Sequence, residues 1–537
     1  MTQHSYLTSI APMIRLSCLL LLCWWSPLPG QAPTAKADGE TLEGEFTTGR
    51  PGVAVFRGVP YAQPPVGELR WRPPAPRPAG SGTRSAKLFS PSCIQTDRLT
   101  EWERGIARVF GTESKLPAKG PETSEDCLYL NVWTRHLDRH AEPQPVMVWI
   151  HGGSNLNGEG SSAWYDGAAL AEAGIVVVTI NYRLGVFGFM AHQAFSAESP
   201  QRASGNYGLM DQLEALRWVQ RNISAFGGDP ARVTIFGESA GSINVMHLMA
   251  SPLAARLFHR AIAQSGAPMM PINALARAES AGAVMAAALK VDSINPLAGL
   301  RSATGEAVLA AGTRAMLGGG LMGPIVDGWV LPEQTALAFA AGKAARVPLL
   351  LGSNALEMTT LRAYLPRIEA TPAGFGKWVE QSFGAAAPKV LERFPVASAA
   401  EFEPAFLRLT THFLFTCPTR VAARAMSRSG VPVYLYQFTR VLPGGESLGA
   451  FHAAEITYPF GNRLAWLPRE QVDDRLSAAM MGYWTRFAAT GDPNGGGAPE
   501  WPRFTAERHR ALELGTEIRA IGGVHDEVCD LIEPPVR

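Results

Sequence analysis

The chain has 537 residues, 46% hydrophobic and 18% charged, which excludes intrinsic disorder and supplies apolar side chains for a sizeable core. Its 48 basic and 47 acidic residues leave a net charge of +1, with no cationic excess to hold a phosphate backbone, so nucleic acid is not expected as a partner. The 54 glycines and 41 prolines exceed average usage, which argues against a coiled coil or helical repeat and for a loop-rich globular protein.

Arg15 precedes an apolar run over residues 16–25, closed by Pro27 and Pro29. Ten helical residues rise about 15 Å, half of a bilayer core of about 30 Å, so the run reads as a secretory leader and not a membrane span. Cleavage is expected after Ala32 or Ala37, leaving a single domain over residues 38–537 that is secreted or periplasmic. It removes Cys18 and Cys23 and leaves Cys93, Cys127, Cys417 and Cys529. In an oxidising compartment four cysteines are expected to form two disulfides, and spacing alone leaves all three pairings open.

Residues 38–75 read as short strands and turns, because Pro60, Pro64, Pro65, Pro73 and Pro74 forbid a helix. Residues 93–127 read as polar and irregular. Continuous apolar runs follow at 146–150, 175–180, 233–236 and 347–351, with helical patterns at 168–173, 208–221 and 242–250 between them. Buried strands alternating with helices predict an α/β fold whose mostly parallel sheet is covered on both faces. Residues 270–345 are alanine-rich and helical, broken by Gly318-Gly319-Gly320, and read as an insertion shaping a cleft.

Gly237-Glu238-Ser239-Ala240-Gly241 joins the 233–236 strand to the helix from Ser242, which is G-x-S-x-G in strand–turn–helix context. A serine at such a turn exposes its hydroxyl at a helix N-terminus, where the dipole favours developing negative charge. The hydroxyl needs a base, usually histidine, and an acid that orients it. Of the downstream histidines, His247 lies on the helix leaving the serine. His259 and His412 sit in apolar patterns, and His509 and His525 lie near the C-terminus. His452, in a loop after the strand-like stretch 433–438, is the expected base. For the acid, Glu357 lies just past the strand at 347–351, on the edge where α/β sheets place their sites. Asp327, in an Asp-Gly turn, and Glu455, three residues from His452, remain competitors. His151-Gly152-Gly153-Ser154 ends the first buried strand and offers backbone N–H groups to an oxyanion, together with the amide of Ala240.

Several ordered motifs carry a resemblance. They are Phe56-Arg-Gly-Val-Pro-Tyr-Ala62, Glu125-Asp-Cys-Leu-Tyr-Leu-Asn131, Asn181-Tyr-Arg183, Gly205-Asn-Tyr-Gly-Leu-Met-Asp211 and the stretch from Phe226 to Gly241. Over about residues 40 to 530 the chain resembles the type-B carboxylesterases, the branch of the α/β-hydrolases that includes cholinesterases and the catalytically silent neuroligins. The resemblance implies an α/β-hydrolase fold and a serine carboxylic-ester hydrolase acting on small-molecule esters, with no metal or cofactor. It implies Ser239 as nucleophile, Glu357 as acid, His452 as base, and Gly153, Ser154 and Ala240 as oxyanion donors. It also implies the disulfides Cys93–Cys127 and Cys417–Cys529 and the structural ion pairs Arg183–Asp211 and Arg70–Glu125. A binding module on the same scaffold, or a hydrolase of amides, carbamates or lactones, is the alternative.

The chain departs from the family at Leu356-Glu357-Met358, where Asp-Glu-Gly is usual, and at Ser154, often glycine. Trp102 stands too early in the first disulfide loop for a choline site, which argues against a cholinesterase. Pocket walls are expected from residues 93–127, 268–345 and 355–415, and a mainly apolar pocket from the alanine, methionine and phenylalanine content. Asn222-Ile-Ser224 is a sequon in a stretch expected to be buried, so glycosylation is not expected there.

Overall fold

The computed structural model describes residues 1–2, 32–137, 141–292, 294–317 and 323–533. The expected leader, with Arg15, Cys18 and Cys23, and the expected break at Gly318-Gly319-Gly320 lie outside the described residues. Pro33–Arg537 forms one compact unit. No helix among the described residues is long and apolar enough to cross a membrane.

The central sheet has eleven strands: β1 (Glu45–Phe46), β2 (Ala54–Pro60), β3 (Tyr129–Thr134), β4 (Gln144–Ile150), β5 (Val176–Ile180), β6 (Gly228–Glu238), β7 (Arg260–Gln264), β8 (Leu349–Asn354), β9 (Val433–Phe438), β10 (Ala511–Leu514) and β11 (Ile518–Ile521). They lie in the order β11-β10-β9-β8-β7-β6-β4-β5-β3-β2-β1. Neighbours from β10 to β5 are parallel, while β3, β2 and β1 at one edge and β11 at the other are antiparallel. The expected parallel core is therefore present, with antiparallel strands closing both edges.

β4 shows why its sequence is an unbroken apolar run. Val146, Val148 and Ile150 enter one core cluster, while Met147 and Trp149 enter another on the opposite face. Side chains alternate along a strand, so covering both faces requires apolar residues at every position. Trp149 is fully buried and meets the rings of Tyr165, Phe236 and Phe460 at centroid distances of 4.8 to 5.1 Å. β8 begins two residues later than expected, after Pro348, and runs on to Asn354, paired with Phe438 of β9. That extension carries the chain to the carboxyl edge of the sheet.

The helices that matter below are α1 (Arg98–Val109), α2 (Tyr207–Asn222), α3 (Ala240–Ala250), α4 (Ala399–Thr411), α5 (Cys417–Arg428), α6 (Gln471–Thr490) and α7 (Asp526–Ile532). α1 corrects the irregular reading of residues 93–127. Its charged residues and Gly105 mask a short amphipathic helix that buries Thr100, Ile106 and Ala107. Asn222 ends α2 with 8% exposure, its amide donating to Asp38 Oδ1 and to the Trp218 carbonyl, so the sequon asparagine is occupied.

Covalent and ionic clamps hold the loops. Cys93–Cys127 and Cys417–Cys529 are bonded across 34 and 112 residues. On a chain-entropy account such loops stabilise by about 4 and about 5 kcal/mol. Asp211 on α2 is fully buried and takes Arg183 in a fork, with Nε at 2.8 Å and Nη2 at 2.7 Å. Arg70 Nε donates to Glu125 at 2.7 Å. At the N-terminus Thr34–Ala37 pairs antiparallel with Glu40–Glu43, which pairs in turn with Thr83–Ser85. Glu40 lies between the Arg77 and Arg84 guanidinium groups, whose hydrogen bonds bring its carboxyl down to about 2.

Candidate active site

The loops after β4, β6, β8 and β9 all leave the same edge of the sheet, the carboxyl edge where open α/β sheets place ligands. After β6 the chain reverses at Ser239, with φ 57° and ψ −123°, and enters α3. This conformation is rare for a residue with a side chain and costs about 1–3 kcal/mol, so the surroundings must enforce it. The Ser239 N–H donates to the Gln264 carbonyl at 2.9 Å, and the Ser239 carbonyl accepts from Ile243 at 3.0 Å. A Cβ on Gly241 would stand 2.0 Å from the Ile150 carbonyl oxygen, and one on Gly237 would stand 2.6 Å from the Gly241 carbonyl carbon. Only glycine permits this approach of strand and helix.

Ser239 faces a cleft of about 70 Å³ whose walls include Trp102, Trp164, Tyr165 and His452. An adjoining cavity of about 680 Å³ shares Leu99, Glu103, Ser162 and Trp164 with it. Trp102, set aside on sequence grounds, is thus a wall residue, and its indole N–H donates to the Thr360 carbonyl. Walls come from residues 93–127 and 355–415 as expected. Among the described residues none of this cleft's walls comes from 268–345, although Leu309, Gly312 and Thr313 line a small neighbouring cavity with Arg98 and Leu156. The lining is mainly apolar, as expected, and Arg98, Glu103 and Glu238 are its charged members.

His452 and Glu357, 95 residues apart, meet here. His452 Nδ1 lies 2.7 Å from Glu357 Oε2, and Glu357 Oε1 accepts the Asn354 N–H at 2.7 Å. Glu357 has no solvent exposure and His452 has 5%. The two competing acids are engaged elsewhere. Asp327 accepts the N–H groups of Trp329 and Leu331 within its turn. Glu455 accepts from Asn354 Nδ2 at 2.6 Å and from Gln264 Nε2 at 3.1 Å, bracing β7 and β8 behind the His452 loop. The other downstream histidines are structural. His247 bonds Thr335, His259 accepts the Val233 N–H, His412 lies against His525, and His509 bonds Asp526.

Sequence reasoning passed over Glu238, the residue before Ser239. It is 3% exposed, and its Oε1 lies 3.1 Å from His452 Nε2. Three buried carboxylates therefore surround one imidazole. Burial opposes the imidazolium, but the charges of Glu238, Glu357 and Glu455 outweigh it and bring His452 up to about 9. Burial likewise pushes Glu238 well above the usual carboxylate range, and it raises Glu455 to about 7. No hydrogen bond joins Ser239 Oγ to Nε2 in this structure, and Nε2 faces Glu238 Oε1 at 3.1 Å instead.

The loop after β4 turns through Gly153, Ser154 and Asn155, at φ 94°, 60° and 57°. A Cβ on Gly152 would stand 3.1 Å from the Ser239 Cβ, so the loop lies directly against the serine. Tyr182 donates to the His151 carbonyl at 2.8 Å and stacks on the His151 ring, which burial holds neutral by bringing it down to about 4. Among the described residues the N–H groups of Gly153, Ser154 and Ala240 donate to no protein acceptor, which leaves three backbone donors around the hydroxyl.

A half-buried serine at a strained turn, a His–Glu pair and free backbone amides form the apparatus of acyl transfer. Comparison with known proteins decides the family: the carboxylesterase family model matches residues 31–532. The chain belongs to the carboxylesterase family. It is 37% identical to a fumonisin B1 esterase from Sphingopyxis macrogoltabida, over 92% of this chain and 89% of that one. It is 34% identical to the para-nitrobenzyl esterase of Bacillus subtilis (strain 168), over 87% and 92%. A solved PNB esterase structure superposes with a TM-score of 0.80 at 31% identity, over 93% of this chain and 99% of that one. This carboxylesterase is accordingly a serine hydrolase of carboxylic esters on an α/β-hydrolase fold. Its two disulfides are consistent with an extracellular or periplasmic protein.

Proposed function

We propose that this carboxylesterase cleaves short-chain esters of small molecules through an acyl-enzyme on Ser239. The 2.7 Å contact of Glu357 with His452, in the cleft that holds Ser239, carries this reading. His452 Nε2 takes the hydroxyl proton as Oγ attacks the ester carbonyl. Glu357 keeps the proton of the neutral imidazole on Nδ1 and stabilises the imidazolium once it forms. The N–H groups of Gly153, Ser154 and Ala240 receive the oxyanion, and His452 then protonates the departing alcohol. Water activated by the same imidazole cleaves the acyl-enzyme and restores the serine.

The cleft at Ser239 is about a tenth the size of the adjoining cavity, so it takes a short acyl group while the larger cavity takes the bulkier part of the ester. Secretion or export to the periplasm goes with this reading, in a single catalytic domain that follows the leader. The pairing of Thr34–Ala37 with Glu40–Glu43 favours cleavage after Ala32, because a cut after Ala37 would remove that strand from its sheet.

The pH profile of kcat/KM on p-nitrophenyl butyrate tests the proposal. Only neutral His452 can accept the proton, so the rate is expected to rise with pH as the imidazolium is lost. Glu238 Oε1 lies 3.1 Å from Nε2 and stabilises the imidazolium when ionised, so Glu238→Gln is expected to lower the imidazole pKa and move the acid limb to lower pH. A protein inert toward the ester, or a limb that stays put or moves upward, would contradict it.

A further inference from the structure

α4 and α5 are joined by a π-helical turn, His412–Thr416, that belongs to neither the cleft wall nor the sheet. Its cause is local. Pro418 has no N–H for the Leu414 carbonyl four residues back, and its ring presses on that carbonyl, so the helix widens there. Turns of this kind concentrate at functional sites.

The turn reaches both members of the His–Glu pair. Thr411, the last residue of α4 before the turn, accepts the N–H of Met358, the residue after Glu357, on its Oγ1 at 3.3 Å. Phe415, near its end, lays its ring on the His452 imidazole, with centroids 5.2 Å apart and planes inclined by 55°. Cys417 closes the turn and is bonded to Cys529 on α7, while His412 at the other end lies 4.3 Å from His525, the residue that leads into α7. The turn is thus fixed at both ends.

We infer that this π turn is the seat of the acid–base pair, with Phe415 and Thr411 as positioning residues for His452 and Glu357. The inference rests on the roles proposed for those two side chains. An imidazole held only at Nδ1 can still pivot, and Nε2 has two partners to choose between, Glu238 and Ser239. Phe415 closes one direction of that swing. Misplacing a reacting group by about 1 Å can cost about 100-fold in rate. Phe415 bears on the His452 ring, so its loss should fall on kcat and spare KM.

The test uses the full chain with p-nitrophenyl butyrate. Phe415→Ala is expected to lower kcat about 10- to 100-fold with KM within about twofold. Phe415→Leu, which refills most of the volume, should recover most of that loss. The low-field proton resonance of the His452 Nδ1–H should broaden in Phe415→Ala and sharpen again in Phe415→Leu. Thr411→Val keeps the shape and removes only the acceptor, so it carries the test even where Phe415→Ala folds poorly; it should also lower kcat and spare KM. Unchanged kcat in both Phe415→Ala and Thr411→Val would overturn the inference. So would a kcat loss that leaves the imidazole resonance untouched. Full activity in His452→Ala would instead overturn the proposed mechanism, so the two failures are distinguishable.

Discussion

Ser239→Ala is expected to lower kcat on a p-nitrophenyl ester about 10⁶-fold while the protein stays folded. Ser154, Ser162, Tyr165 and Tyr364 also bring hydroxyls to the cleft, but Ser239 alone stands at the N-terminus of α3, and the charged groups there offer no substitute. Arg98 cannot deprotonate, Glu103 accepts the Trp164 indole N–H, and Glu238 lies against the base. Alanine keeps the backbone of the turn, whose hydrogen bonds run through the Ser239 N–H and carbonyl and not through the hydroxyl. What survives is the oxyanion site, so residual catalysis over water of about 10³- to 10⁴-fold is expected. Steady-state turnover beside circular dichroism checks this, and loss of activity together with loss of fold would not count in its favour.

Glu357→Gln is expected to cost about 10⁴-fold in kcat through the tautomer of His452 and not through its position. Glu357 Oε1 already takes the Asn354 N–H, so the amide oxygen of a glutamine is claimed there. Its NH₂ then faces Nδ1 and donates to it, which moves the imidazole proton to Nε2. A protonated Nε2 cannot accept from Ser239. KM and thermal stability should change little, because the side chain keeps its shape and its fully buried seat. A loss below about tenfold would mean that the carboxylate does not set the tautomer.

Much of this architecture is legible in the amino-acid sequence, and what escapes does so for physical reasons. The turn at Ser239 is readable because the contacts that demand Gly237 and Gly241 are nearly local. The strands are readable because two covered faces leave β-branched and aromatic residues at consecutive positions, as in Val146 to Ile150. The acid is a different case. Glu357, Asp327 and Glu455 all sit near strand ends or turns, and only the folded chain shows Glu357 across from His452. Glu238 occupies a position where the G-x-S-x-G pattern admits any residue, so its burial against the base has no sequence signal. α1 escapes because its charges conceal a narrow apolar stripe. The π turn leaves one trace, Pro418 inside a helical pattern, but the contact of Phe415 with His452 is purely tertiary. The 268–345 segment reads as a cleft-forming insertion from composition alone, and composition does not say which edge of the sheet it covers.

The most direct test of the central claim is the pre-steady-state release of p-nitrophenol from a short-chain ester by the enzyme. An acyl-enzyme on Ser239 predicts a burst of about one equivalent per chain, absent in Ser239→Ala, followed by slower turnover. A burst that survives in Ser239→Ala would place the covalent intermediate on another residue and contradict the account.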